Sequence, residues 1–403
     1  MRTSMWSAIV LGGMLTTAPA LAQDKNVKIG VLTDMSSLLS DITGPNSVVA
    51  TKMAIEDSGL LEKGWNIEVT SADHQNKPDI GVSIARKWFE VEKVDVISDT
   101  PNSGVAIAVT NVVKDKNGVH LNVAATADIT GKACTPNTLS IAVDTYMLAY
   151  GTGKALTKLG GDTWFFLAAD YVFGRTLVRD ATEIIQENGG KVLGTVSHPL
   201  NTTDFSSFLL QAQASKAKII GLGSAGGDTA NAISQASEFG IVQGGQKLAA
   251  MLFFINDAHA LGAAKAQGLT FTNSFYWDAN DDTRAFATRF QDRANKRQMP
   301  SMAQAGLYAS TLHYLKALET IGSNPHDGAK VVAKMKELPA IDKLFGDAPF
   351  RADGRRMVKA YLYEVKKPEE SKSEWDLFKK VADIPAEEAA VPLSKSECPF
   401  VKK

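Results

Sequence analysis

The chain has 403 residues, of which 44% are hydrophobic, 22% charged and 8% aromatic. That length exceeds what one ordinary hydrophobic core supports and points to two domains, while the average composition excludes a disordered chain and a many-spanning membrane protein. Lys plus Arg number 43 against 44 Asp plus Glu, a formal net charge of −1 with no basic block, which excludes a protein built to grip a phosphate backbone; no nucleic-acid partner is expected.

At the N-terminus, Arg2 precedes an almost wholly apolar stretch from Met5 to Leu15, and Ala18-Pro-Ala-Leu-Ala22 has the small-x-small pattern that signal peptidase reads. The apolar run is shorter than the roughly 20 residues that span hydrocarbon. Residues 1–22 are therefore expected to be a signal peptide cleaved after Ala22, leaving a soluble product outside the cytoplasm with no new N-terminal Cys to carry a lipid. Beyond it, β-rich runs at 27–33, 66–71, 95–98 and 119–123 alternate with amphipathic stretches such as 46–56 and 80–91, whose apolar residues recur three and four apart. A second series of runs follows at 163–168, 191–197, 217–222, 248–255 and 269–275, with helical stretches at 175–187 and 228–239. This alternation predicts an α/β fold with two parallel sheets, the series parting near Val143-Asp-Thr-Tyr146. Residues 281–318 read as helical again. After the Arg351-Ala-Asp-Gly354 turn, 361–365 and 375–381 read as an antiparallel hairpin, and 385–399 as a tail.

Only two cysteines occur, Cys134 and Cys398. An exported compartment is where such a pair oxidises, so a disulfide is expected in preference to two free thiols, and redox catalysis lacks its Cys-x-x-Cys spacing. The bond would close a loop of about 265 residues and contribute on the order of 5 kcal/mol by restricting the unfolded chain. Its role would be to pin the C-terminal tail.

The opening Val27-Lys-Ile-Gly-Val-Leu-Thr-Asp-Met-Ser-Ser37, followed by Thr43-Gly-Pro and a helix carrying Ala54-Ile-Glu-Asp57, resembles that of type I periplasmic binding proteins. The similarity is greatest to the leucine/isoleucine/valine-binding family of ABC transporter substrate-binding proteins. It continues through Val119-His-Leu-Asn-Val-Ala-Ala-Thr126, Asp170-Tyr-Val-Phe-Gly174 and Asn201-Thr-Thr-Asp-Phe205, and so over essentially the whole mature chain. The resemblance implies a periplasmic protein of two α/β lobes, each a parallel sheet flanked by helices, with the ligand in the cleft between them. Three crossovers would fall near Asp144, Tyr276 and Phe350. Lobe 1 would then be 23–144 plus 277–350, lobe 2 would be 145–276 plus 351–382, and 383–403 a tail.

In open parallel sheets a ligand sits beyond the carboxyl ends of the strands, where helix N-termini offer unpaired N–H groups and a positive dipole end; a carboxylate suits such a place. The loops there hold small hydroxyl and amide residues: Ser36-Ser37, Pro101-Asn102-Ser103, Ala125-Thr126 and Ser224-Ala-Gly-Gly227. Ser103 and Thr126 are candidate ligand anchors, with helix capping the plainer role for each, and Asn102 competes with Ser103 for that cap. Leu38, Leu39, Tyr171 and Tyr276 would give the pocket an apolar and aromatic character. By resemblance Tyr171 and Phe173 occupy an aromatic wall, although Phe173 also suits core packing, and Asn256 or Asp257 would meet an α-ammonium group. Where the family has a hydroxyl-rich Ser run, this chain has Pro101-Asn-Ser-Gly104, which leaves the ligand open between an amino acid and an aromatic or aliphatic acid.

Enzyme readings are weaker. Gly221-Leu-Gly-Ser-Ala-Gly226 fits G-x-G-x-x-G after a strand, but no acidic residue ends a strand about 20 residues later. Leu222-Gly-Ser-Ala-Gly226 lacks one glycine of a nucleophile elbow, and the six histidines show no metal-ligand spacing. The expectation is a monomeric solute carrier with no cofactor, no metal and no catalysis, closing on a small carboxylate and handing it to an inner-membrane ABC permease. The alternatives are the same fold serving a membrane receptor as sensor, or an exported NAD-binding enzyme.

Overall fold

The computed structural model describes residues 24–322 and 326–402; the expected signal peptide lies outside the described residues. The first sheet contains β1 (Asn26–Thr33), β2 (Asn66–Asp73), β3 (Val96–Asp99), β4 (Val119–Asn122) and β5 (Thr138–Ser140). Their order is β2-β1-β3-β4-β5 and every pairing is parallel. β3 and β4 are buried along their whole length, as strands covered by helices on both faces must be. The second sheet is built from β6 (Thr163–Ala169), β7 (Lys191–His198), β8 (Ile219–Gly223), β9 (Lys247–Ala250) and β10 (Thr270–Asn273). Beyond a separate hairpin of β11 (Ile341–Asp342) and β12 (Gly346–Asp347), β13 (Ala360–Val365) and β14 (Phe378–Ile384) return to it. Its order is β14-β13-β10-β9-β8-β6-β7, parallel from β10 to β7 and antiparallel across β10, β13 and β14. The fold is thus two-lobed α/β with a parallel sheet at the heart of each lobe.

The chain passes between the sheets after β5, after β10 and before β13. Between the last two passages, helices Asp281–Arg293, Met302–Ile321 and Gly328–Glu337 pack back on the first lobe. Ser301 Oγ donates to the Ile42 carbonyl at 2.7 Å and Gln304 Nε2 to the Thr43 carbonyl at 3.0 Å, fixing the loop that follows β1. Two of the passages are tied together by a buried ion pair, with Arg355 Nη1 2.8 Å from Asp144 Oδ2 and both side chains 2% exposed.

Several elements differ from the pattern in the sequence. The apolar run 248–255 is strand only to Ala250, because Ile255 opens the helix Ile255–Leu261. The second arm of the C-terminal hairpin is Phe378–Ile384 and not 375–381; Trp375 instead stacks on His259 with ring centroids 3.8 Å apart. The tail accordingly begins after Ile384. Residues 281–318 are helical in two segments, Asp281–Arg293 and a second that begins at Met302 and runs on to Ile321. Cys134 and Cys398 are disulfide-bonded with Cα atoms 5.6 Å apart. The tail they hold is further tied by Lys395 to Glu183 and Glu187 of the second lobe at 2.7 and 2.8 Å.

Candidate ligand-binding cleft

Each sheet has one point where the strand order reverses, between β1 and β3 in the first and between β6 and β8 in the second. Loops leaving the carboxyl ends of strands on the two sides of such a point diverge and leave a crevice. Here the two crevices face one another. Leu39, Ile42 and Thr43 follow β1, Pro101 and Ser103 follow β3, and Val123 and Ala125 follow β4. From the second lobe, Tyr171 and Phe173 follow β6, Ala225 follows β8, and Leu252 and Phe254 follow β9. Val143 and Ala303 complete the lining of a narrow cavity of about 20 Å³, room for roughly one water. The lobes are therefore closed against each other. Thr126 Oγ1 donates to Thr176 Oγ1 across the gap at 3.3 Å, and Arg179 Nη1 meets Asp128 Oδ1 at 2.9 Å.

The Asn102–Ser103 pair divides its labour. Asn102 Oδ1 accepts from Gly104 N–H and Val105 N–H at 3.0 and 3.1 Å and so caps the helix Ser103–Asp115. Capping by Asn102 frees Ser103. Its Oγ is buried, makes no hydrogen bond within the described residues, and belongs to a residue of the cavity wall. Thr126 is itself a cap, accepting from Asp128 N–H at 3.3 Å, and stands behind Ala125, which reaches the cavity. Tyr171 and Phe173 form an aromatic wall with ring centroids 5.9 Å apart. Burial, with Asp228 nearby, raises the Tyr171 phenol well above its ordinary value and keeps it a neutral hydrogen-bond donor.

Other residues singled out in the sequence stand away from the wall. Ser37 donates to Asp34, whose carboxylate also gathers the N–H of Ser37 and Leu39 and the Asn76 amide. Ser224 Oγ bonds His198 Nε2 at 2.6 Å beneath the cavity, beside Phe205. Asn256 Nδ2 donates to the Met299 carbonyl at 3.1 Å. Asp257 Oδ2 accepts from Phe254 N–H at 2.9 Å, closing the first turn of its own helix, and burial pushes its carboxyl up to about 7. Tyr276 stacks on Phe378 in the core of the second lobe and its hydroxyl turns to Trp375 and Asp376. Ile42, Thr43, Val123, Val143, Leu252, Phe254 and Ala303 line the cavity without having been singled out as site residues, while Pro101 and Ala225 were named only as members of their loops. Most are apolar residues at strand ends, indistinguishable by pattern from core.

None of the described residues lining the cavity is charged. Its field comes from the backbone: Thr43, Asn102, Tyr171 and Ala225 are the N-cap positions of helices Gly44–Asp57, Ser103–Asp115, Val172–Glu187 and Gly226–Glu238. Four positive dipole ends thus converge on one uncharged space. Two acids sit just outside it. Burial raises Asp228 to about 6 and Asp99 to about 7. Neither Asp99 oxygen makes a hydrogen bond of good geometry, and Asp99 and Thr100 hold φ of 78° and 56°, left-handed values unusual for residues with side chains. Thr100 and Thr110 clamp both nitrogens of His120 at 2.6 and 3.0 Å, and burial depresses that imidazole to about 3, so it is neutral.

The chain is similar to known proteins over most of its length. The model of a family described as periplasmic binding protein matches residues 26–372. A periplasmic binding protein from Burkholderia mallei is 47% identical over 94% of this chain and 100% of its own, with a TM-score of 0.90. A branched chain amino acid ABC transporter periplasmic ligand-binding protein from Burkholderia xenovorans is 39% identical over 93% of this chain and 100% of its own, with a TM-score of 0.82. A Rhodopseudomonas palustris solute-binding protein in complex with benzoate shares the fold, at 18% identity, 93% and 99% coverage and a TM-score of 0.77. A search of curated proteins returned no match. With its family model covering most of the sequence and two crossed-over lobes meeting at their switch points, the chain belongs to the periplasmic binding protein family.

Proposed function

We propose that the protein is the solute-binding component of an ABC importer, and that its ligand is a small carboxylic acid with an apolar body and no α-ammonium group. The observation that carries this reading is an uncharged, largely apolar cavity ringed by four helix N-termini. Those ends favour an anion, whose carboxylate would meet Ser103 Oγ, while Leu39, Phe173 and Phe254 enclose the rest. An ammonium group would want a carboxylate. Of Asn256 and Asp257, either of which the resemblance offers for that task, Asn256 bonds the Met299 carbonyl and Asp257 already serves its own helix cap. Lobe 1 is taken as 23–144 with 277–350 and lobe 2 as 145–276 with 351–382, so ligand selects the state in which they close and a permease receives that state. The carrier acts as a monomer in the periplasm, without chemistry of its own. No helix among the described residues is long and apolar enough to cross a membrane.

The second reading is a branched-chain amino acid, favoured by the name of the 39% identical relative. Calorimetry with matched pairs separates the two: 4-methylpentanoate against leucine, and 3-phenylpropanoate against phenylalanine. The acid of each pair should bind at least tenfold tighter than its α-amino counterpart, because the amine would be desolvated without a partner. Tighter binding of leucine than of 4-methylpentanoate would establish the amino-acid reading.

A further inference from the structure

The segment Gly221-Leu-Gly-Ser-Ala-Gly226 has the spacing of a dinucleotide fingerprint, and a solute carrier leaves it unexplained. Two of its glycines answer to packing within the second lobe. A Cβ on Gly221 would lie 2.5 Å from the Phe166 ring, and one on Gly223 would lie 2.9 Å from Ala168 Cβ. The close neighbour of Gly226 is instead in the other lobe. Its φ is +55°, and a Cβ there would lie 2.1 Å from the carbonyl oxygen of Leu38, in the loop after β1. This approach lets the next residue, Gly227, donate its N–H to that same carbonyl at 3.2 Å. Gly227 stands in the first turn of the helix Gly226–Glu238, where an N–H has no acceptor inside the helix, and Ala225 at the N-cap makes no side-chain cap bond. Its protein acceptor comes from across the cleft.

We propose that the Gly227 N–H to Leu38 carbonyl bond is a main-chain latch between the lobes, and that Gly226 is the positioning residue that permits it. The proposal rests on the reading of the chain as a closing two-lobed carrier. Leu39 and Ala225, the immediate neighbours of the latch in sequence, both line the cavity, so the latch lies at its edge and its breaking opens the path for ligand to leave. Because donor and acceptor are both backbone, closure at this point is indifferent to which ligand fills the site. The same contact explains the third glycine without a nucleotide, since the carbonyl of Leu38 stands against it.

Three variants of the full mature chain test the latch without any ligand. Gly226→Ala blocks the approach. Gly227→Pro removes the donor at a first-turn position where helices accept proline. Gly227→Ala is the control, because its Cβ would meet Leu38 Cβ at 3.9 Å, an ordinary contact. Small-angle scattering should show a larger radius of gyration for Gly226→Ala and Gly227→Pro, and wild-type values for Gly227→Ala. Amide exchange at residue 227 should be about fivefold faster or more in Gly226→Ala than in wild type, the effect of losing one hydrogen bond. Should Gly226→Ala misfold by circular dichroism, Gly227→Pro carries the test alone. Wild-type scattering from both variants, or a residue-227 amide that exchanges as fast in wild type as in Gly226→Ala, overturns the latch. Failure of the carrier reading looks different: no acid or amino acid binds wild type, while the variants still open.

Discussion

Asn102 and Ser103 sit side by side at one helix start, yet the structure gives them separate work, and substitution should separate them too. Losing the Asn102 cap in Asn102→Ala should cost about 1 kcal/mol of stability. Ser103 Oγ has no partner within the described residues, so Ser103→Ala should leave the unliganded melting temperature unchanged, while loss of a hydrogen bond to a charged ligand group costs roughly 1.5–3 kcal/mol, at least tenfold in affinity. Melting curves and calorimetry on the two variants check this; a Ser103→Ala chain that melts earlier and binds normally would make Ser103 a second cap. Which of the two would cap was not legible in the sequence, because both residue types cap well and only the φ/ψ of the turn decides. Asp99 makes a second prediction at this scale. Its carboxyl titrates near 3.8 when unfolded and is raised to about 7 by burial when folded. Between those values the native state holds the extra proton, so this group's contribution to stability is present below about pH 3.8 and is lost as pH rises to about 7. Asp99→Asn should therefore flatten the pH dependence of unfolding free energy across that window, by up to about 1.4 kcal/mol per pH unit, and leave the profile above pH 7 parallel to wild type. Denaturant melts at intervals from pH 4 to 8 measure the difference.

The elements were legible wherever period and flanking turns agreed, and less so where burial imitates another pattern. β1 to β4 and β6 to β8 read as short β-rich runs, and the structure has strands there. Leu252, Phe253 and Phe254 read as strand because they are apolar, but they are cleft wall and core ahead of a helix. Phe378 to Ile384 pairs with β13 in place of 375–381 because Trp375 is drawn onto His259, a contact across more than a hundred residues that no local pattern announces. The three passages between lobes were placed by resemblance, while what binds two of them together came only from the structure. Asp144 both caps the helix Thr145–Leu148 and neutralises buried Arg355. Asp144→Ala would leave a guanidinium buried without its partner, which costs about 3–5 kcal/mol, more than the cap alone explains. Chemical denaturation of Asp144→Ala beside the Asp144→Ala/Arg355→Met double variant tests the pair: the double variant should recover much of the loss, and no recovery would show that the cap and not the charge is what matters.

At the scale of the whole molecule, a cavity of about 20 Å³ is too small for the carboxylic acid proposed as ligand, so on that reading the closed form is not the form that ligand enters. Ligand must wait for the lobes to part. The contacts that hold them together at the cleft are modest: the Gly227–Leu38 main-chain bond, the Thr126–Thr176 hydroxyl pair, and an ion pair whose Arg179 side chain is 48% exposed and so contributes no more than about 1 kcal/mol. Closure without ligand is then expected to be shallow, with open and closed forms in exchange and the apparent dissociation constant equal to the intrinsic one divided by the open, entry-competent fraction. This sets a kinetic expectation. If opening precedes entry, the observed association rate in stopped-flow fluorescence should level off at the opening rate as ligand rises, where a preformed open site would give a rate that climbs linearly to the highest concentration. Trp277 is a suitable reporter, since it follows β10 at a passage between lobes and its indole N–H donates to the Trp375 carbonyl at 2.8 Å. Arg179→Ala should raise the plateau by about twofold to fivefold, because the broken ion pair holds only the closed form, and high salt should act in the same direction on wild type and not on the variant. A linear dependence unaffected by Arg179→Ala would mean that the lobes stand open in solution and that ligand itself draws them together.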